Sequence, residues 1–285
     1  MLILKVELKK GLINKFIMKK YILLILVLVF YSCDNNAVSN YTKTDLDTIS
    51  APSIHLELGI PKDLDSSDDY LIIRPQYCLS YNFKLGVPNW VSWEMNSDWF
   101  GDVPRYGGNF VTDNSLPSTF SKIKHTDYTN SGFDRGHQVR SEERTRTDED
   151  NKSTFLMTNI IPQTPDLNRG VWLNLEYYLE KLCKEENKQI FVIAGGIYSS
   201  SSFINNIVAI PDTCYKIAVV LDKGQNRKNI TKDTRIIAVK IPNIAGIRSD
   251  KWEKFVTTVN SIEYSTGYDF LNYIKDEVEN ELESK

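Results

Sequence analysis

The stretch GFDRGHQVRSEERT, residues 132–145, places His137 directly after an Asp-Arg-Gly triplet and before a run of charged residues. His137 is one of only 3 histidines in the 285-residue chain. Histidine has an ordinary pKa of about 6.5, so a neutral imidazole at this position can accept a proton at pH 7. A single histidine is more often a surface or core residue, so its meaning depends on the sequence around it.

A second stretch, TNIIPQTPDLNRGVWLNLE at residues 158–176, supplies candidate partners for this histidine. It contributes three amide side chains and a carboxylate: Asn159, Gln163, Asn168 and Glu176. Amide oxygen is a hard, neutral ligand that suits Mg²⁺, and such an ion neutralises charge on phosphoryl and leaving oxygens. Arg135 can clamp a phosphate oxygen through two N–H groups. The combination favours hydrolysis of a phosphodiester.

Hydrophobic patterns on either side of these stretches predict an α+β domain. Short apolar or alternating segments predict strands at 71–73, 77–83, 90–95, 155–161, 190–194, 215–221 and 236–241. Apolar residues at helical spacing from Trp172 to Leu182 predict a helix over 172–188. A second, short helix is expected within 247–259, and residues 96–131 are typical of a long irregular segment that carries function.

Composition divides the chain into four parts. Residues 1–33 have the pattern of a bacterial lipoprotein signal, with Cys33 as the lipidated residue; an ordinary cleaved signal or an uncleaved anchor is the alternative. This predicts a protein of the bacterial cell envelope, lipid-anchored to the membrane or secreted, facing the periplasm or the exterior. Residues 34–69 are expected to form a flexible polar tether, 70–272 the folded domain, and 273–285 an acidic tail that frays or forms a solvated helix.

Charge and cysteine content limit the function classes only weakly. The formal net charge is −3, but acidic residues concentrate in 34–70 and 272–285, so an anionic substrate is not excluded. Cys78, Cys183 and Cys214 allow at most one bridge within the domain, and three buried thiols are an equal alternative. The sequence has no CxxC pair or Cys/His cluster, which argues against a structural zinc site.

The DRGH motif at 134–137, followed by the stretch at 158–176, resembles the DNA/RNA non-specific endonucleases of the ββα-metal class. The resemblance extends from about Gly59 to Phe270 and includes YCLSYN, PNWVSWEM, FVTD, IAGGIY and TGYDF. It implies a central antiparallel sheet, helices packed around it, and a DRGH strand or loop beside a metal-binding helix. It also implies cleavage of DNA and RNA with Mg²⁺, or with Mn²⁺ in its place, to leave 5′-phosphate and 3′-hydroxyl ends.

The resemblance assigns the general base to His137 and the sole direct protein ligand of the metal to Asn168. Glu176 would hold metal-bound water or orient the site. If the helix began at Asn168, Glu176 would lie about 12 Å further along the axis and about 80° around it. Both side chains could then not bind one ion directly. Asn168 therefore either lies at the mouth of the helix, as a capping residue would, or Glu176 acts through water.

Further roles follow from the same resemblance. Asn159, counted among the catalytic residues with Arg135, and Gln163, expected at the substrate, would support the site around the histidine. Arg105 is the nearest candidate for an arginine that family members often carry close before an F-x-x-D stretch, and a plain surface position is the alternative. Arg140 is expected to contact the nucleic-acid backbone, with a solvated charged loop as the alternative.

Three functions are compatible with these patterns. The first is a Mg²⁺-dependent nuclease that acts on the DNA and RNA backbone without selecting the sugar. The second is a surface lipoprotein that binds nucleic acid with weak catalysis or none, for which the displaced arginine is the only support. The third is a phosphodiesterase that acts on smaller nucleotides. The sequence does not predict an oligomeric state.

Overall fold

An antiparallel sheet of seven strands runs through the part of the chain that the structure describes. The computed structural model describes residues 50–285. In chain order its strands are β1 Tyr70–Ile73, β2 Cys78–Asn82, β3 Val87–Met95, β4 Asp134–His137, β5 Ile160–Gln163, β6 Lys188–Ile197, β7 Phe203–Ile204, β8 Val208–Ala209, β9 Thr213–Asp222, β10 Arg235–Pro242 and β11 Val256–Thr257. The order across the sheet is β1-β2-β3-β6-β9-β10-β11, while β4–β5 and β7–β8 form separate two-stranded ribbons.

Four α-helices accompany these strands among the described residues: α1 Asp148–Ser153, α2 Trp172–Glu185, α3 Val259–Thr266 and α4 Asp276–Glu283. The predicted α+β class with a central antiparallel sheet is confirmed. The apolar run at 155–161 is the exception among the predicted strands, because residues 157–159 form a 3₁₀ turn and the strand begins at Ile160. The second helix also begins later than predicted, at Val259, after a 3₁₀ turn at Trp252–Phe255.

Both faces of the central strands are apolar, which is why the sheet carries a layer on each side. On β6, Ile190 and Val192 contribute to one core, whereas Phe191 and Ile193 contribute to the other. The first core takes up the apolar face of α2 and the β4–β5 ribbon. The second core takes up the segment around Leu56, together with α3 and α4.

The folded domain begins before residue 70, which corrects the predicted extent of the tether. Leu56 and Leu58 are buried in the second core, and His55 is buried beside them. The acidic tail is likewise packed, since Leu282 on α4 is fully buried in that core. The polar composition of the tether and of the acidic tail predicted solvated segments. A few apolar side chains are nevertheless enough to pack each segment against the second core.

Residues 1–49 lie outside the described part of the chain, so the signal segment and Cys33 as its lipidation site stay predictions. Within the described residues, no helix is both long and apolar enough to span a bilayer. Cys78, Cys183 and Cys214 are all buried and free, so no disulfide joins them.

Candidate active site

A cleft of about 430 Å³ opens between the β4–β5 ribbon, the start of α2 and the loops before and after β4. It brings together six of the residues singled out in the sequence: Arg105, Arg135, His137, Arg140, Asn168 and Glu176. The remaining lining residues are Phe110, Asp134, Glu142, Arg169, Leu173 and Tyr177. Four arginines and three carboxylates therefore surround one histidine and one amide.

His137 ends β4, and two aromatic rings hold its imidazole. The ring centroids of Phe110 and Phe155 lie 5.1 and 5.0 Å from it. Its Nε2 is buried without a hydrogen-bond partner among the described residues, and the residue lines the cleft. Burial lowers the pKa of His137 to about 3, and the positive charge of Arg105 adds to this effect. The imidazole is therefore neutral at pH 7 and able to accept a proton.

Asn168 lies in a wide turn, Leu167–Val171, that precedes α2. Its Nδ2 donates to Oδ2 of Asp134 at 2.9 Å, so its Oδ1 points away from that carboxylate. Arg169 holds the same carboxylate from outside, with Nε 2.7 Å from Oδ2 and Nη2 2.6 Å from Oδ1. Burial alone would raise the pKa of Asp134, but these hydrogen bonds outweigh it and lower the pKa. Asp134 thus stays an acceptor and fixes the orientation of the Asn168 amide.

Asn168 lies ahead of α2, outside the helix. Asn168 is not a capping residue, since α2 begins at Trp172 with Val171 at its N-cap and no side-chain cap bond. The turn that contains Asn168 stands before the helix, and Glu176 lies in the second turn of α2. Both residues line the same cleft.

The donor set of the cleft fits a hard divalent cation. No group of three or more His, Cys, Asp or Glu side chains among residues 50–285 could hold a metal ion. A cation in this cleft would therefore depend on the amide oxygen of Asn168, with Glu176 as the carboxylate nearest to it on α2. Mg²⁺ requires few protein ligands because it keeps several waters.

Glu176 is almost fully buried, although it lines the cleft. Its Oε1 accepts from Nζ of Lys216 at 3.3 Å, and its Oε2 lies 4.0 Å from Nε of Arg140. Burial raises the pKa of Glu176, and the charges of Lys216 and Arg140 oppose that rise.

Arg105 and Arg140 both reach the cleft, so neither is a plain surface residue. Nη1 of Arg105 donates to Ser141 and, at 3.0 Å, to Glu142, while its guanidinium lies 4.9 Å from the Phe155 ring centroid. Arg140 is mostly buried. Its Nη1 donates to Glu180 at 2.7 Å, and its Nε pairs with Glu142 at 3.1 Å.

Arg135 is held by a backbone carbonyl. Its Nε and Nη2 donate to the carbonyl oxygen of His125 at 3.1 and 2.6 Å, and its guanidinium stacks over Phe110 and Tyr128. The role of His125 as an anchor was missed in the sequence. Any residue type could provide that carbonyl, so no sequence signal marked the position.

Asn159 and Gln163 do not line the cleft, which corrects the catalytic and substrate contacts expected of them. Both are fully buried. Nδ2 of Asn159 donates to the carbonyl of Val139, and its Oδ1 accepts from the Val139 N–H, so it holds the chain just beyond His137. Gln163 lies under Gly136, where a Cβ atom would stand 2.2 Å from Oε1. Both side chains position the DRGH strand and do not contact a ligand in the cleft.

The sequence also missed Glu142, Arg169 and Lys216. Glu142 lies within a run of other charged residues, and Arg169 directly follows Asn168, which drew the attention in that stretch. Lys216 did carry a signal, because it is a charged residue within the otherwise apolar strand predicted at 215–221. A charge in such a strand indicates a buried partner.

Fold and cleft together define the class of protein: a nuclease with the ββα-metal fold, an enzyme that hydrolyses nucleic acids. The model of the DNA/RNA non-specific endonuclease family matches residues 57–277, and the chain belongs to this family. These matches confirm the resemblance drawn from the DRGH motif and the stretch that follows it.

Named relatives and a solved structure are similar to the chain over most of its length. A protein named nuclease from Nostoc sp. (strain PCC 7120 / SAG 25.82 / UTEX 2576) is 42% identical over 238 residues, which cover 82% of this chain and 86% of that protein. Mitochondrial endonuclease G of Homo sapiens is 25% identical over 211 residues, covering 70% and 68% respectively. A crystal structure of an EndoG/EndoGI complex superposes with a TM-score of 0.66 at 24% identity, covering 80% of this chain and 95% of that one, which shows the shared fold.

Proposed function

We propose that the protein is a Mg²⁺-dependent endonuclease that cleaves DNA and RNA alike and leaves 5′-phosphate ends, with His137 as the general base. One observation carries the proposal. A neutral imidazole and an amide whose oxygen is turned away from its only carboxylate partner line a single cleft. Membership of the nuclease family supplies the reaction class.

Four residues of the cleft have a step that they can perform in this reaction: His137, Asn168, Glu176 and Arg105. The imidazole of His137 accepts the proton of the attacking water, and Phe110 and Phe155 keep the ring in place. Asn168 and Glu176 would hold the Mg²⁺ ion, which supplies positive charge for the phosphoryl and leaving oxygens. The Arg105 guanidinium lies near the histidine and offers N–H groups to a phosphate oxygen.

The cleft favours the backbone of a nucleic acid over its bases. Its lining is rich in arginine, which binds phosphate oxygens and carries no sequence information. Binding of this kind weakens steeply as salt concentration rises. A nuclease that depends on phosphate contacts accepts either sugar, so DNA and RNA should be cut at comparable rates.

The test is cleavage of plasmid DNA and of RNA, with Mg²⁺ and with EDTA. We expect EDTA to abolish cleavage and His137→Ala to lower kcat by at least about 100-fold. Tyr264→Ala is the control. That side chain lies on α3, in the layer opposite the cleft, and is 93% exposed, so activity should stay within about 3-fold of wild type. The 5′-phosphate is checked by religation of the products without a kinase step.

Equal activity of His137→Ala and wild type would end this proposal. So would cleavage that is unaffected by removal of divalent ions. A dinucleotide assayed beside long polymers distinguishes the endonuclease from a phosphodiesterase of smaller nucleotides. The non-catalytic alternative loses its support, because Arg105 lies in the cleft.

We further propose, from the pattern of residues 1–33 alone, that Cys33 anchors the protein to a membrane of the bacterial cell envelope. The proposal concerns residues outside the described structure. Metabolic labelling with a radioactive fatty acid would test it, because Cys33→Ser should abolish the label.

A further inference from the structure

A buried lysine lies beneath the cleft, and the mechanism above does not use it. Lys216 belongs to β9 in the middle of the sheet, and its side chain is 1% exposed. Its neighbours across the sheet are Ala194 on β6 and Val239 on β10. Alternation along β9 turns its side chain toward the face that carries α2, the same face as Cys214 and Ala218.

The ammonium group of Lys216 forms one ion pair on that face, with Glu176, and its charge also acts on the buried Glu143. Nζ lies 3.3 Å from Oε1 of Glu176, and it stands over the ring of Trp172, 4.3 Å from the centroid. Trp93 lies on another side at 5.5 Å and donates its own Nε1–H to Glu143. Aromatic faces and one carboxylate thus replace the water around this charge.

Such an ion pair is a poor way to stabilise a core. Removing two charges from water costs several kcal/mol, and apolar side chains of similar volume often serve the fold equally well. The apolar neighbours Ala194 and Val239 show that this part of the sheet has no need of a charge. We therefore expect the ion pair to matter for the position of the Glu176 carboxylate more than for the stability of the core.

Lys216 fixes the orientation of the Glu176 carboxylate. It holds Oε1 through the hydrogen bond from Nζ, so Oε2 is the oxygen left toward Arg140 and the cleft. A carboxylate without this partner would be free to rotate.

We propose that Lys216 is a positioning residue for phosphodiester cleavage, which sets which oxygen of Glu176 faces the cleft. This inference rests on the proposed function. Lys216 touches neither substrate nor metal, and it acts only through Glu176. Its loss should therefore impair the chemical step and leave binding of nucleic acid nearly intact.

The test compares variants of the full chain under saturating and limiting DNA. Lys216→Met removes the charge at similar volume, and we expect kcat to fall about 10- to 100-fold, as for partners behind a metal ligand, with KM within about 3-fold of wild type. Lys216→Arg keeps the charge and should recover most of the activity. Lys240→Met is the control, because Lys240 lies on β10 and donates to Ser261 and Ser265, away from the cleft. It should retain wild-type kcat.

The decisive variant is the double mutant Lys216→Met/Glu176→Gln. If Lys216 acts through Glu176, the double mutant should be no slower than Glu176→Gln alone. Multiplication of the two single effects would overturn the proposal, as would a wild-type kcat in Lys216→Met. Thermal melts and gel shifts in EDTA establish that each variant is folded and binds DNA. Lys216→Gln is the second uncharged variant, and failure of both to fold would make the lysine structural and also refute the proposal.

Failure of this inference can be told apart from failure of the proposed function. If wild type does not cleave, or His137→Ala cleaves equally well, the proposed function fails first. If wild type cleaves, His137→Ala does not, and Lys216→Met matches wild type, only the role of Lys216 is lost.

Discussion

Arg105 reaches the cleft from the long irregular segment that precedes the DRGH strand, and its contacts keep it there. It donates to Ser141 and Glu142 on the other side of that strand, and it stacks on Phe155. About half of its side chain is exposed, so its outer N–H groups can receive an anion. A guanidinium of this kind suits the charge that develops on a phosphate in the transition state.

Replacing Arg105 by alanine should therefore lower kcat/KM by about 10- to 1000-fold, because a charged donor is lost where negative charge develops. Arg146→Ala is the matched control. Its side chain is similarly exposed at 51%, stacks on Trp99 and pairs with Asp150, but does not line the cleft. Steady-state cleavage of one defined duplex measures both. Similar losses in the two variants would mean that Arg105 acts only through the net charge of the surface.

The sequence singled out residues at the centre of the cleft but not all of those that surround it. His137, Asn168 and Glu176, singled out from the DRGH motif and the stretch after it, line one cleft, while their roles stay predictions. The motif and the stretch did not show that Gln163 turns beneath the strand, because that depends on the register of β4 with β5, in which Gln163 stands opposite Asp134. The hydrogen bonds from Arg135 to the backbone carbonyl of His125 could not be predicted either, because a residue of any type carries such a carbonyl.

The wide turn before α2 is the element on which the cleft depends most. The sequence predicted the helix from residue 172 but not the shape of the chain before it, where the turn from Leu167 to Val171 has non-helical dihedral angles at Gly170, with φ −123° and ψ −107°. At this point the chain packs directly against Arg248, and a Cβ on Gly170 would lie 2.4 Å from that carbonyl oxygen. Apolar periodicity could not reveal this, since Arg248 comes from a distant part of the sequence.

Gly170→Ala should consequently weaken both the fold and the use of Mg²⁺. We expect the free energy of unfolding to fall by about 1–3 kcal/mol, as for other overpacked sites. The Mg²⁺ concentration for half-maximal activity should rise, because Asn168 moves with the turn. Urea unfolding and a Mg²⁺ titration of activity measure the two effects. Gly107→Ala, whose added Cβ meets no atom within 4 Å, should change neither.

Two outcomes for Gly170→Ala would contradict this prediction. If Gly170→Ala unfolds like wild type and needs no more Mg²⁺, then the turn adapts to a side chain and does not fix Asn168. If stability falls but the Mg²⁺ dependence is unchanged, the turn serves the fold alone.

At the scale of the whole molecule, the segment before β1 fastens the layer opposite the cleft. His55 is buried at 2% exposure. Its Nε2–H donates to the carbonyl of Pro75 at 2.9 Å, and its Nδ1 accepts from the Glu94 N–H at 3.0 Å. Both nitrogens are therefore used by the neutral ring, and a proton on Nδ1 would face an N–H donor. Composition alone assigned this histidine to a tether because its neighbours are polar.

The buried ring predicts a pH dependence of stability. Burial, helped by the charge of Arg144, lowers the pKa of His55 to about 3 from 6.5. An unfolded chain takes up this proton below pH 6.5 and the folded chain does not, so the contribution of His55 is lost as pH falls from 6.5 toward 3. The loss amounts to at most about 1.4 kcal/mol per pH unit.

His55→Gln isolates this contribution, because glutamine can donate and accept but does not titrate. The variant should be less stable than wild type at pH 7, and the difference in the free energy of unfolding should shrink as the pH is lowered through this window. Urea unfolding from pH 7 to pH 4 provides the measurement. Parallel curves for the two proteins would show that His55 does not titrate on unfolding.

Three free, buried thiols distribute unevenly over the layers, with Cys78 in the core opposite the cleft and Cys183 and Cys214 in the core beneath it. Side-chain packing and hydrogen bonds, without any disulfide, therefore stabilise the fold of residues 50–285. Oxidants or reductants should then make little difference to whether this domain reaches its native form.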